Sequence, residues 1–102
     1  LLVIERSFSI GIKPCTIKVF IADLSNATDV KNNSSLASNT QFVAASKKLL
    51  LNMDELGIYT DNIEGVTFGP ILPNGHKTLL FIADNNFSED EISQVLLFEV
   101  IE

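Results

Sequence analysis

The chain is short and acidic, and it is rich enough in apolar residues to form a packed core. It has 102 residues, of which 46% are hydrophobic, and a formal net charge of −6. An acidic chain without a basic stripe repels nucleic-acid phosphates, so this composition argues against nucleic-acid binding. Its apolar runs are far shorter than the about 20 residues that a membrane-spanning helix needs. The single cysteine, Cys15, excludes an internal disulfide and a cysteine-based zinc site.

The start of the chain predicts a β-hairpin. Two segments rich in β-formers, Leu2–Ile10 (LVIERSFSI) and Thr16–Leu24 (TIKVFIADL), flank a short link that contains glycine and proline. Arg6 lies on the opposite face of the first strand from Glu5, because side chains alternate along a strand. We expect Arg6 either to pair with a carboxylate on the next strand or to bind an anion, and pairing is the favoured role.

The middle of the chain contains a polar loop and a segment that fits two different structures. Residues 25–41 (SNATDVKNNSSLASNTQ) are polar and are expected to form a flexible surface loop. Residues 42–57 fit either an amphipathic helix or a strand over Ser46–Asn52 followed by a helical turn over Met53–Leu56. The spacing favours the helix, because the apolar residues that recur with a helical period are Phe42, Ala45, Leu49, Met53 and Leu56.

Three more strands are predicted over Ile63–Phe68, Thr78–Asp84 and Ile92–Ile101. The last two strands are apolar on both faces, which indicates a sheet that is covered on both sides. Since the chain offers at most one helix as a cover, we expect more sheet instead. Stacked antiparallel sheets are the blades of a β-propeller, and this length makes about two blades, one of them incomplete. The sequence therefore predicts an all-β fold, apart from the helix or helical turn of residues 42–57, whose exposed blade faces lead to self-association or strand swapping.

The stretch DNIEGVTFGP (61–70) places carboxylates at the start of an apolar strand. Strict alternation puts Glu64 on the same face as Val66 and Phe68, where a carboxylate needs a partner, a metal ion or a solvated rim position. Gly65 beside it is typical of a close approach by a ligand or by another part of the backbone. Two interpretations stay open for Glu64: a functional carboxylate, or a charged residue that water solvates at a strand end.

A second polar stretch, DNNFSED (84–90), follows the next predicted strand. Its oxygen-bearing side chains alternate as they do at the start of a calcium loop. An EF-hand is excluded, because the glycine and the final glutamate that the loop requires are both missing. The stretch is therefore either a polar hairpin turn or a calcium contact through Asp84 or Asn86.

Four stretches of the chain together resemble a known family. In order, VIERSFSIG, KKLLLNMDELG, DNIEGVTFGPILPNGHKTLLFIADNNFS and QVLLFEV resemble the C-terminal part of the phytase-like, or esterase-like, propeller domain of bacterial secreted proteins. The resemblance covers nearly all of residues 1–102 except the polar loop, and it favours the strand over the helix in residues 42–52. Full-length relatives are much longer, and the chain opens on LLVIERSF without an initiator Met or a signal peptide. We therefore expect a C-terminal fragment of a longer propeller domain.

The resemblance implies a periplasmic or secreted hydrolase that acts on phosphate esters or other esters with the help of calcium. By analogy with propeller phytases, acidic groups near the central channel hold cations that bind phosphate and activate a water molecule. On that basis Glu64 is the expected catalytic residue, and Arg6 and Asn62 are expected to bind the substrate. The expected calcium ligands are Asp61, Glu64, Asp84 and Asn86.

Two other readings of the sequence remain open. In the first, the chain belongs to a non-catalytic propeller in which Asp61 and Glu64 only organise the channel, while loops bind a protein or a glycan. In the second, residues 42–57 are helical and the chain is an independent small α+β domain. Because a channel site draws ligands from several blades, we expect the fragment alone to be inactive even if its parent is an enzyme.

Overall fold

The chain folds into two antiparallel three-stranded sheets. The computed structural model describes residues 1–7, 16–38 and 41–101. Within these ranges, no helix is long and apolar enough to cross a membrane. The all-β prediction is confirmed, because apart from one 3₁₀ turn (Met53–Glu55) the regular elements are six strands. The strands are β1 (Leu2–Arg6), β2 (Ile17–Asp23), β3 (Ser46–Asn52), β4 (Ile63–Phe68), β5 (Thr78–Ala83) and β6 (Gln94–Glu99).

Sheet A has the strand order β1-β2-β3, and sheet B has the order β4-β5-β6. Every neighbouring pair is antiparallel, and β1 and β2 pair from Leu2 with Ile21 to Arg6 with Ile17. The predicted link of this hairpin, with Cys15 and the last three residues of the first predicted strand, lies outside the described residues. The described part of the polar stretch, residues 25–38 and 41, contains turns but no strand or helix.

Residues 46–52 form a strand, so the helix that the apolar spacing favours is wrong. Strand β3 pairs with β2, with a bulge between Val19 and Phe20. Leu49, which the helix would have buried, is 49% exposed, whereas Met53 is fully buried. The strand alternative that the family resemblance favours is confirmed, including its helical turn. The physical reason is that pairing with β2 satisfies the backbone hydrogen bonds of this segment, and that tertiary context overrides the helical propensity of its lysines and leucines.

The core lies between the two sheets. Sheet B contributes the ring of Phe81, which is 1% exposed and packs edge to face against Phe98 with centroids 5.5 Å apart. One face of each sheet therefore covers the other, as the sequence predicts. The buried core residues are Ile17, Val19, Met53, Ile63, Leu79, Phe81 and Ala83.

The opposite face of sheet B is apolar and exposed to solvent. Ile82 pairs with Val95 there, and Leu80 pairs with Leu97. Ile82, Val95 and Leu97 are 55%, 65% and 56% exposed. Strands with two apolar faces are thus confirmed, although the described residues cover only one of the faces. The radius of gyration is 17.0 Å, against about 13 Å for a compact domain of this length. The two sheets do not close into a ring.

Candidate functional site

Polar side chains collect at one end of the paired sheets. At this end β1, β3 and β5 finish, and β2, β4 and β6 begin. A pocket of about 1030 Å³ opens there, lined by the end of β1 (Arg6 and Ser7), by residues 58–62, by Asp54 and by Glu91. The pocket is large enough for a small-molecule ligand.

Arg6, Asn62 and Glu64 come together beside this pocket, and we call them the Arg6–Asn62–Glu64 cluster. Arg6 Nη1 donates a hydrogen bond to Asn62 Oδ1 and lies 3.5 Å from Glu64 Oε1. Asn62 Nδ2 donates to the same Glu64 oxygen at 2.8 Å. The Arg6 and Glu64 side chains are 41% and 42% exposed, so a ligand in solution can reach both. Arg6 therefore pairs with a carboxylate of the other sheet rather than with one on the neighbouring strand.

A β-bulge determines where Glu64 lies. Ile63 and Gly65 pair with adjacent residues of β5, which leaves Glu64 without a partner in the ladder. The extra residue shifts the alternation, so that Ile63 and Val66 both pack in the core while Glu64 is exposed. The expectation that Glu64 shares a face with Val66 is therefore wrong. A Cβ atom at Gly65 would lie only 2.9 Å from Ile82 Cγ2, so the group that approaches this glycine is the side chain of its cross-strand neighbour, and the expected approach by a ligand or by backbone stays a prediction.

Asp61 is a buried carboxylate whose two oxygens both accept hydrogen bonds. It is 8% exposed. Oδ1 accepts from the Asn62 amide at 2.7 Å, and Oδ2 accepts from the Ile92 amide at 2.8 Å and from the Tyr59 hydroxyl at 3.2 Å. The Ile92 amide is the main cause that holds the pKa of Asp61 below its usual range, against the opposing effect of burial. The Asp61 charge in turn raises the pKa of Tyr59.

Gln94 adds two hydrogen bonds between the segment before β4 and the beginning of β6. Its Oε1 accepts from the Asp61 amide at 3.0 Å, and its Nε2 donates to the Tyr59 carbonyl at 2.8 Å. Together with the Asp61 carboxylate, this amide joins the segment before β4 to the beginning of β6. The sequence interpretation missed both Tyr59 and Gln94. The available signals were a lone tyrosine two residues before Asp61 and an amide at the first position of an apolar strand.

Asp84 and Asn86 lie just beyond the end of β5. Asp84 is exposed, and the β4–β5 register brings it to the same end of the sheet as Asn62. Asn86 has a left-handed backbone with a φ of 51°, and its Nδ2 donates to Glu91 Oε2 at 2.7 Å. Within the described residues, neither side chain forms a hydrogen bond with the Arg6–Asn62–Glu64 cluster.

The described residues do not form a complete calcium site. In residues 1–7, 16–38 and 41–101, no three His, Cys, Asp or Glu side chains lie close enough together to hold a metal ion. The Asp61 oxygens are already bonded to protein donors, and calcium takes about six to eight oxygen ligands. Calcium binding through Asp61, Glu64, Asp84 and Asn86 therefore stays a prediction that needs ligands from elsewhere.

The fold and the pocket define an all-β protein with a partly polar pocket at one end of two packed sheets. The family model described as phytase-like, "Esterase-like activity of phytase", matches residues 1–87. This chain belongs to the phytase-like family. The matched range contains β1 to β5 and all of the Arg6–Asn62–Glu64 cluster. A comparison with curated proteins and a comparison with solved structures each give no match.

Proposed function

We propose that this chain supplies part of the active site of an ester hydrolase. The observation that carries the proposal is the Arg6–Asn62–Glu64 cluster. A cation, an amide and a carboxylate from two different sheets meet beside an open pocket, in a family whose description names esterase-like activity.

Arg6 and Asn62 are the proposed substrate-binding residues. A guanidinium has about five N–H donors, and in the described part of the chain only Nη1 of Arg6 is engaged. The remaining donors are available to an anionic group of the substrate, or to the oxygen on which negative charge develops during the reaction. The Asn62 amide orients Glu64 by donating to its Oε1.

Glu64 is the proposed general base. One of its oxygens faces Asn62 and Arg6, and the side chain is open to water. The carboxylate takes a proton from a water molecule while the water oxygen attacks the carbon or phosphorus of the ester. The bond to the leaving alcohol then breaks, and the alcohol oxygen takes the proton that Glu64 holds, which restores the carboxylate.

The finer proposal is a secreted or periplasmic phosphoesterase that is assisted by calcium. It is supported by the family resemblance, in which cations neutralise phosphate and activate water. The proposed hydrolysis uses Arg6, Asn62 and Glu64, since the described residues do not form a complete calcium site. The phosphate-ester substrate, the assistance by calcium and the export from the cytoplasm are three separate proposals.

We also propose that the two sheets are parts of neighbouring blades of a β-propeller. Three observations support this architecture: a second apolar face on sheet B, sheets of three strands where a blade has about four, and an expanded radius of gyration. In a closed ring the next blade covers the exposed face. The isolated chain is then expected to self-associate and to lack activity.

The substitution Glu64→Gln in the full-length parent protein tests the proposed function. We expect kcat/KM for 4-nitrophenyl acetate and 4-nitrophenyl phosphate to fall by about 10²-fold or more, because the base is lost. Circular dichroism and Tm are expected to stay unchanged, since Glu64 is exposed. The matched control is Glu55→Gln, which changes an exposed carboxylate on the 3₁₀ turn.

Unchanged turnover in Glu64→Gln removes this residue from the site. Absence of hydrolysis in the parent, with and without calcium, favours the non-catalytic propeller that binds a protein or a glycan.

A further inference from the structure

The pocket beside the Arg6–Asn62–Glu64 cluster has an apolar wall. Ile58 and Tyr59 both line it, and they are 54% and 66% exposed. An aliphatic side chain and an aromatic ring therefore face solvent next to the only arginine of the chain. Apolar walls with a few polar groups are typical of small-molecule sites.

Tyr59 is held in place without being covered. Its hydroxyl donates to Asp61 Oδ2 at 3.2 Å, and its carbonyl accepts from Gln94 Nε2 at 2.8 Å. Both partners belong to the network that joins the start of β4 to β6. The ring thus has a fixed position while most of its surface stays available, which lowers the entropy cost of binding an apolar group.

The charges around the pocket do not suit a polyanion. Among the described lining residues Arg6 is the one cation, and Asp54, Asp61 and Glu91 are carboxylates. The Arg6 guanidinium is in addition only 3.5 Å from Glu64. A single negative charge on a ligand can be matched by Arg6, whereas each further charge meets net repulsion.

We propose that this pocket selects esters that have an apolar group and at most one negative charge. The charge, or the polarised ester oxygen, lies at Arg6, and the apolar group contacts Ile58 and Tyr59. The proposal rests on the proposed hydrolase function and adds its substrate class. Highly phosphorylated esters are poor ligands of the same pocket.

Tyr59 gives a direct measurement of binding, because the chain has one tyrosine and no tryptophan. We would titrate the 102-residue chain in EDTA with hexanoate, acetate and inositol hexakisphosphate, and follow tyrosine fluorescence. Hexanoate is expected to bind at least about tenfold more tightly than acetate, because its additional methylene groups leave water. Inositol hexakisphosphate is expected to give no saturable change. Equal affinities for hexanoate and acetate, or tighter binding of the hexakisphosphate, would overturn the proposal.

Repeating the titration with calcium separates the pocket from a metal-dependent site. The same order of affinities supports the proposed selectivity. Tight, saturable binding of inositol hexakisphosphate only when calcium is present would overturn the selectivity, because the carboxylates would then hold the cation that attracts the polyanion.

Ile58→Ser tests the apolar wall. We expect hexanoate affinity to fall at least about fivefold and acetate affinity to stay the same, because only the longer ligand reaches this side chain. The matched control is Ile71→Ser, which changes another highly exposed isoleucine, 70% exposed, outside the pocket. Equal effects of the two substitutions would contradict a specific role for Ile58.

Hydrolysis by the parent protein is measured separately, so that the two proposals can fail independently. If hexanoate binds as expected but no ester is hydrolysed, the hydrolase proposal fails and the pocket selectivity stands. If kcat/KM is higher for inositol hexakisphosphate than for 4-nitrophenyl hexanoate, the selectivity fails and the hydrolase stands.

Discussion

The two ends of the paired sheets each hold a carboxylate with a lowered pKa, but they hold it differently. At the pocket end, Asp61 is buried and accepts hydrogen bonds from backbone amides. At the other end, Glu99 is 36% exposed, accepts from Asn74 Nδ2 at 2.8 Å and contacts His76 Nδ1 at 2.5 Å. The Asn74 hydrogen bond is the main cause that lowers the pKa of Glu99, and His76 adds to it. Backbone bonds to a buried group break only with the local fold, whereas exposed side chains exchange partners with water.

The two carboxylates also border different cavities, a polar pocket at one end and a mainly apolar cleft at the other. The pocket end is polar and carries the Arg6–Asn62–Glu64 cluster. The other end is an apolar cleft of about 480 Å³ between the sheets, lined by residues such as Leu2, Leu79 and Phe98. The Arg6–Asn62–Glu64 cluster thus lies beside the polar pocket at one end, and the proposed chemistry lies at that end.

Phe81→Ala is expected to have the largest effect, because both ends depend on the core between the sheets. Phe81 is 1% exposed and packs against Phe98, so its removal should lower the free energy of unfolding by about 3–5 kcal/mol. Urea unfolding followed by circular dichroism measures this loss. The control is Ile82→Ala on the exposed face, with an expected loss below about 1 kcal/mol. Equal losses would show that the outer face of sheet B is also buried in solution.

Two glycines, one near each end, are expected to respond unequally to alanine. A Cβ atom at Gly69 would lie 2.5 Å from Thr78 Oγ1, a buried hydroxyl that donates to the Pro70 carbonyl at 2.6 Å. Gly69→Ala should therefore cost about 1–3 kcal/mol through overpacking. Gly65→Ala meets only the exposed Ile82 side chain, which can rotate away, so its cost should be below about 1 kcal/mol. Thermal unfolding of both variants tests the order, and a larger loss for Gly65→Ala would contradict it.

Asp61→Asn is expected to destabilise the pocket end by about 1–3 kcal/mol at neutral pH. One carboxylate oxygen becomes an NH₂ group, which then faces a backbone or hydroxyl donor. The folded pKa of Asp61 is below its ordinary value of 3.8, so its stabilisation is present above that pH and is lost as the pH falls through the folded pKa. The difference in unfolding free energy between wild type and variant should therefore shrink in acid. A difference that stays constant from pH 7 to strong acid would show that the charge of Asp61 is not what stabilises this end.

Glu99→Gln is expected to have the smallest effect. Glutamine keeps an acceptor for Asn74, and the contact with His76 is exposed to solvent and screened by salt. The pKa of Glu99 is lowered from 4.5, so its contribution is present above that pH and is lost as the pH falls below it. We expect a smaller fall in Tm than for Asp61→Asn, and a still smaller one in high salt. A fall as large as that of Asp61→Asn would mean that the two ends are held equally firmly.

Local sequence patterns predict much of this fold because they reflect which residues leave water. The strand Ile63–Phe68 has its predicted bounds, and Thr78–Ala83 ends one residue before the prediction. The last strand begins at Gln94 rather than at Ile92, because the Ile92 amide donates to Asp61 instead of to a strand. Residues 42–57 fit both a helix and a strand followed by a helical turn, and the pairing of residues 46–52 with β2 decided for the strand.

The candidate site is less predictable, because it depends on contacts between distant parts of the chain. The residues proposed to bind substrate or to act as base do lie together, yet Arg6 ends a strand of sheet A and Asn62, 56 positions later, directly precedes a strand of sheet B. No local pattern shows that Arg6 faces Glu64, that Asp61 turns inward to Ile92, or that Tyr59 borders the pocket. The roles of these residues stay predictions that the experiments above test.

By itself the sequence determined that the chain has antiparallel strands apolar on two faces and polar stretches at their ends, because burial and alternation are properties of each segment. Only the tertiary structure decided that residues 46–52 are a strand and that a bulge frees Glu64 from the core face. It also decided that Asp61 is buried among backbone donors while Glu64 stays open to solvent. These outcomes depend on how strands pair and how the sheets pack, since register and inter-sheet contacts are set by partners that no single segment contains.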